Sequence, residues 1–178
     1  KREFKSARKL VDLFYPMLSR TRQLELRAAT LRDWGTYLIS HLESSADRQT
    51  VAREGRLHLR EAGMAFEELA HRRFATDRYP DEVWQSAECY FLGQGFSEAI
   101  RMLDEYLKNE PTRRNAQALL RLGQAHLALR DLERGMLALE ECIELHPNDA
   151  AVYRARLDAA KASRDLERRL RERVAFAG

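Results

Sequence analysis

The chain has 178 residues, of which 33% are charged and 44% hydrophobic, with 8 Gly, 4 Pro and a net charge of +3. That balance fits a helical protein long enough to bury a core, and it excludes a disordered or fibrous chain. The charge is mild and mixed in sign, which speaks for solubility rather than for a partner, and no uninterrupted run of about 18 apolar residues is present to span a bilayer.

Residues 1–19 place Phe4, Ala7, Leu10, Val11, Phe14, Met17 and Leu18 three and four apart, with Lys and Arg opposite, which predicts an amphipathic helix. Pro16 predicts a kink or a new start near Tyr15. Residues 20–79 read as an irregular hairpin of two long helices. Its first half carries Leu24, Ala28, Leu31, Gly35, Leu38 and Leu42, with Trp34 and Ile39 widening the stripe. Ser44 and Ser45 offer an N-cap to the second half, with Asp47 in the following first turn. That half carries Val51, Gly55, Leu59, Ala62, Phe66, Leu69 and Phe74, and it is expected to run nearly to Tyr79-Pro80.

From Val83 to Pro147 one stretch is written twice. Val83, Ala87, Tyr90, Ala99, Leu103 and Pro111 recur as Leu119, Gly123, His126, Gly135, Leu139 and Pro147, each 36 residues on (147 − 111). Residues 80–111 and 112–147 are therefore two copies of a helix-turn-helix unit, with helices expected at about 81–94, 97–109, 114–128 and 132–146. Gly93-Gln94-Gly95 and Arg130-Asp131 form the turns. Ser97 and Asp131 stand as N-caps, and Pro111 and Pro147 stop the second helices. A unit of this length cannot bury its apolar face alone, so stacking on neighbours must create the core. Residues 148–178 add a helix that Asn148 can cap, containing Val152, Tyr153, Leu157, Ala160, Leu166 and Leu170. Its polar end, Arg164 to Arg173, suits either a capping helix or the first helix of a further unit.

These two copies resemble the tetratricopeptide repeat, whose pattern W-x2-L-G-x2-Y, A-x3-F, P runs over about 34 residues. Val83 and Leu119 stand for its Trp, Ser86 for its Leu and His126 for its Tyr, and the two extra residues are expected near Arg113 and Arg114. Small residues, Ala87 with Ala99 and Gly123 with Gly135, let the two helices of a hairpin approach closely. Ala62-x3-Phe66 looks like the second-helix half of a degenerate unit before the first. The fold class that follows is all-α, a right-handed α-solenoid of stacked antiparallel hairpins.

No catalytic site emerges. Gly93-Gln94-Gly95 lacks the strand and further glycine of a dinucleotide loop. Cys142 and His146 are four apart, but a structural zinc site wants four ligands and no second pair is visible. Glu67-Glu68 and Glu140-Glu141 are adjacent, hence divergent on a helix. His41, His58, His71 and His126 are dispersed, and Cys89 and Cys142 report neither pairing nor compartment. No enzyme, metal or cofactor is expected.

The family resemblance implies instead a groove lined by first helices that receives an extended peptide or a helix of a protein partner. Carried over residue by residue, it would be lined by Asp81, Trp84, Glu88 and Phe91, then Gln117, Leu120, Arg121, Gln124 and Leu127, then Arg154, Asp158 and Lys161. Trp84 and Arg121 are the residue types of recognition hot spots, although Trp84 could equally pack near Phe66 or Phe74. The subfamily that clamps the C-terminal carboxylate of heat-shock chaperones uses Lys and Asn here, where this chain has Trp84, Glu88 and Gln124, so that ligand is not expected. Two other readings stay open. Arg164 to Arg173 with Lys1, Arg2, Lys5, Arg8 and Lys9 could bind an anionic surface, nucleic acid or lipid headgroups. Glu167 and Glu172 interrupt that cluster and no aromatics interleave it, which disfavours nucleic acid, and a membrane surface is left only to the N-terminal helix. Alternatively the chain is a spacer or a self-associating unit, its groove filled by its N-terminal helix. A sequence that opens on Lys1 and closes in a helical pattern is expected to be a piece of a longer protein, and its localisation stays open.

Overall fold

The computed structural model describes residues 2–14, 17–42, 47–110 and 112–177. They form α1 Arg2–Phe14, α2 Arg20–Ser40, α3 Arg48–Arg72, α4 Tyr79–Leu92, α5 Phe96–Asn109, α6 Asn115–Ala128, α7 Leu132–Leu145 and α8 Ala150–Ala177. The chain is all-α, with no strand among the described residues. It divides into two compact units, Lys1–Met102 and Leu103–Gly178, and the division falls inside α5.

In the first unit α2 and α3 form the expected hairpin. Ser19 starts α2 by accepting the Arg22 N–H, and Asp47 starts α3 by accepting the Thr50 N–H at 3.1 Å. Asp47 is thus the cap itself, while Ser44 and Ser45 lie outside the described residues, as do Tyr15 and Pro16, where the kink is expected. The hairpin buries Leu24, Ala28 and Leu31 of α2 against Ala62, Ala65, Phe66 and Leu69 of α3, and Cys89 of α4 joins them. Each large side chain so buried contributes on the order of 1.5–3 kcal/mol. The helices cross where both lack a side chain: a Cβ on Gly35 would lie 2.8 Å from the Gly55 carbonyl oxygen.

α1 ends at Phe14, just before the break expected near Tyr15, and Leu10 of its expected apolar stripe is exposed. Its Phe4 does pack inward, stacked on Trp34 at 6.3 Å. α3 stops at Arg72, well short of Tyr79-Pro80, and Phe74 is 67% exposed rather than core. The apolar period continues through Phe74, but Arg73 overrides it. Its side chain is held by Glu25 of α2 and Glu82 of α4, and its carbonyl accepts the Thr76 N–H at 2.8 Å, which closes a turn. α4 then opens at Tyr79 with Pro80 in its first turn, where the missing N–H is harmless.

α4 settles on α3 through another small residue. A Cβ on Gly63 would lie 2.9 Å from the Tyr90 ring, and the Ser86 hydroxyl donates to the Gly63 carbonyl at 2.9 Å. Ser86, which stands where the repeat usually has Leu, makes this bond. Tyr90 donates to Glu67 at 2.9 Å, and Arg101 of α5 donates to the same carboxylate at 2.8 Å. Burial pushes the Glu67 carboxyl up, but Arg101 and Tyr90 outweigh it and hold it below the usual range. At Glu82 burial wins over Arg73, and the carboxyl is raised.

The two turns have the same geometry at the 36-residue offset. Gly95 N–H bonds the Tyr90 carbonyl at 2.8 Å and Gln94 N–H the Phe91 carbonyl at 3.0 Å; Asp131 N–H bonds His126 and Arg130 N–H bonds Leu127, both at 3.0 Å. This is the Schellman closure of a helix. Its left-handed residue is Gln94 (φ 59°) in one turn and Arg130 (φ 66°) in the other, and neither Gly93 nor Gly95 takes that place. Ser97 falls inside α5 rather than capping it, because α5 begins at Phe96. Pro111 lies outside the described residues.

In the second unit α6 and α7 meet at Gly123 and Gly135. A Cβ on Gly123 would lie 2.6 Å from Leu139 Cγ, and one on Gly135 would lie 2.6 Å from Leu127 Cδ2. Asp131 caps α7 by accepting the Arg134 N–H at 3.2 Å. Ala116, Leu119, Leu139 and Cys142 form the core with Val152 and Ala155 of α8. Asp149, not Asn148, opens α8 by accepting the Ala151 N–H at 2.8 Å. Arg114 enters α6 at φ 54°, where Arg78, 36 residues earlier, is right-handed at φ −84°. The repeats therefore diverge where the two extra residues are expected.

Candidate partner-binding surface

The second unit joins four of the expected groove residues by hydrogen bonds. Arg121 donates to Gln124 at 3.2 Å, Gln124 donates to Asp158 at 2.7 Å, and Arg154 donates to the same Asp158 oxygen at 3.1 Å. The chain runs across the first helices α6 and α8. Asp158 is 8% exposed, so its carboxylate is a buried acceptor that fixes two donor-bearing side chains rather than a free acid. Arg154 keeps 59% of its side chain exposed. Gln117 and Lys161 are exposed at the two ends of this face. The surface therefore offers the exposed Gln117 amide and three cations, of which Arg121 and Arg154 are held by hydrogen bonds.

Leu120 and Leu127 are half-buried and pack against the core of the second unit, and Leu127 fills the space left open by Gly135.

On α4, in the first unit, Asp81, Glu88 and Phe91 are half-buried. Phe91 meets Phe96 edge-on at 5.7 Å. Trp84 is 8% exposed, which corrects the reading of it as an accessible aromatic: it belongs to the core. Its neighbour Gln85, which the sequence reading passed over, accepts from Arg32 at 3.1 Å, and Arg32 also lies over the Phe66 ring at 5.8 Å. Arg32 and Gln85 are 53 residues apart, so no local spacing signals the pair.

His126, Cys142 and His146 have structural occupations. His126 is buried, with Nδ1 3.5 Å from Asp131 across the turn. The Cys142 thiol donates to the Ala116 carbonyl at 3.3 Å, and His146 Nε2 lies 2.7 Å from Asn115 Oδ1, so the two residues are turned to different partners. Burial pushes the Cys89 thiol up to about 12 and also raises Cys142.

Residues 117–149 match the family model for the tetratricopeptide repeat. Over these residues the chain is similar to a tetratricopeptide repeat. Comparison with curated proteins finds no match for the chain. The matched residues contain the Gly123–Gly135 crossing, the Arg130 turn and the Asp131 cap, which are the features that make α6 and α7 a hairpin. Tetratricopeptide repeats are in general scaffolds for protein–protein interaction.

Proposed function

We propose that the chain holds a segment of a protein partner, an extended peptide or a helix, along the α6 and α8 face of its second unit. The observation that carries this reading is the hydrogen-bonded series Arg121–Gln124–Asp158–Arg154. It holds donors in fixed positions before a partner arrives, and so lowers the ordering cost of binding. A face of Gln117, Arg121, Arg154 and Lys161 suits backbone carbonyls and carboxylates, so the partner segment is acidic or presents free carbonyl oxygens. Asp81, Glu88 and Phe91 of α4 are a separate candidate surface of the first unit, with opposite charge. Such a chain acts as one segment of a longer scaffold.

The test is quantitative recovery of a cellular partner on the immobilised chain. Arg121→Ala with Lys161→Ala is expected to lower recovery by more than about tenfold, equivalent to about 1.4 kcal/mol. Glu88→Ala should leave it unchanged. Equal recovery by all three proteins would place the binding surface elsewhere. The anionic-surface reading gains no support from the geometry of α8, because Arg168 pairs with Asp165 at 3.0 Å and Arg171 with Glu167 at 3.8 Å along the helix.

A further inference from the structure

Arg154 is held at one corner only. Its Nε–H donates to Asp158 Oδ2 at 3.1 Å, and among the described residues neither of its terminal nitrogens has a partner. The anchor beneath is stiff. Asp158 is buried, and the same Oδ2 takes the Gln124 amide of α6 at 2.7 Å, while Gln124 itself accepts from Arg121 at 3.2 Å. Arg121 is half-buried and spends a terminal nitrogen on Gln124, whereas 59% of the Arg154 side chain is exposed. With its Nε corner engaged, Arg154 presents the opposite edge of the guanidinium, where Nη1 and Nη2 offer parallel N–H groups.

On the proposed reading of this face as a partner site, we infer that Arg154 is its specificity-determining residue, and that the group it reads is a side-chain carboxylate of the partner, taken end-on by Nη1 and Nη2. Two parallel N–H groups match the two oxygens of a carboxylate, which an ammonium cannot do. Charge selects the same group. Arg154 and Asp158 together are neutral, so a doubly charged phosphoryl group meets the repulsion of Asp158, while a planar single anion uses the fork at the least cost. Long-range attraction falls to Lys161, two helical turns further on, exposed and without a partner among the described residues. The place of Arg154 favours a side chain over a chain end. The Gln124–Asp158 bond sets α6 and α8 level at a shift of 34 residues (158 − 124), which puts Arg154 level with Leu120, between Gln117 and Lys161. The face continues past the fork in both directions, so the segment it suits runs through rather than ending there.

The test uses the whole chain and fluorescent peptides of about ten residues, blocked at both ends, in which Ala alternates with Glu, Gln or phosphoserine, so that an extended peptide carries these groups on one side. An all-Ala peptide with a free C-terminal carboxylate completes the set. Anisotropy is expected to show the Glu peptide binding, the phosphoserine peptide binding more weakly, and the other two not at all. Arg154→Lys keeps the charge and loses the fork, and should weaken the Glu peptide about tenfold at low and high salt alike. Lys161→Ala should weaken it too, with the loss fading in high salt. Asp158→Asn should narrow the preference for Glu over phosphoserine, an effect that a merely structural role would not produce. Arg154 is exposed, so its variant should keep the helical circular dichroism of the parent. Binding that falls with Lys161→Ala but is unchanged by Arg154→Lys would overturn the inference and leave the polar face standing. No binding of the Glu peptide, or binding indifferent to both Lys161→Ala and Arg121→Ala, would overturn the reading of the face and the inference with it. Tighter binding of the phosphoserine peptide, or equal binding of the all-Ala peptide, would overturn the inference by assigning the fork to another anion.

Discussion

At Gln94 and Arg130 the backbone enters the left-handed region, at φ 59° and 66°, with a non-glycine side chain in place. A non-glycine residue at such a position costs about 1–2 kcal/mol, and glycine escapes the cost while losing about 0.4–1 kcal/mol through its looser unfolded chain. Gln94→Gly and Arg130→Gly are each expected to stabilise the protein by about 0.5–1 kcal/mol in urea unfolding. A loss of stability would mean that the side chains hold the turns. Charge at single residues also sets a pH slope. The folded state holds Glu67 below its ordinary value, through Arg101 and Tyr90 working against burial. Its contribution is therefore complete above the unfolded carboxyl value of about 4.3 and is lost as pH falls through the lower folded value. Glu67→Gln should cost about 1–2 kcal/mol at pH 7, with the difference from the parent vanishing in acid. A constant difference across that range would remove the ionic part of the argument. Glu82, raised by burial, slopes the opposite way: its contribution is present at low pH and declines as pH rises through its folded value.

Helix pairs in this chain are decided by missing side chains. Gly35 with Gly55, Gly63 with Tyr90, and Gly123 with Gly135 are each places where a Cβ would come within 3.2 Å of the neighbouring helix. Gly123→Ala is expected to cost about 1–3 kcal/mol, because the new methyl meets Leu139 at 2.6 Å and the Gly135 carbonyl at 3.0 Å. Adding Leu139→Ala should recover part of the loss, and a double-mutant cycle with no coupling would show that the two residues do not share the space. The Gly123–Gly135 crossing was legible in the sequence because the repeat writes it at matching positions. The turns were legible too, but not their left-handed residue, since flanking glycines draw attention away from Gln94. What periodicity could not show is where α3 stops. Apolar spacing runs on through Phe74, and the hold of Glu25 and Glu82 on Arg73, with the turn closed at Thr76, accounts for the end at Arg72. Trp84 misled for a related reason: on a first helix, a residue type common at hot spots and one common in cores look alike until burial separates them.

On the scale of the whole molecule, each compact unit carries one buried thiol, Cys89 in the first and Cys142 in the second. Burial raises both thiols, Cys89 to about 12, so neither is available as a thiolate at neutral pH. A thiol reagent should leave both untouched in the folded chain and modify each only as its own unit opens, which makes the two labelling rates separate reports of the two units' stability. Immediate labelling of either would contradict its buried placement. The partner surface proposed for the second unit is the polar face of α6 and α8 around Asp158. The family resemblance pointed to it, but could not show that Asp158 would be buried and would hold its neighbours.

The account rests on the polar face being where a partner lies. Photo-crosslinking from single probes at Gln117, Lys161 and Leu137 tests this directly, since Leu137 is 59% exposed on α7 and outside the proposed face. The probes at Gln117 and Lys161 should capture one and the same partner, and Arg121→Ala should suppress that capture, while the probe at Leu137 should miss it. Capture of that partner from Leu137 alone, or equally from all three positions, would contradict the account.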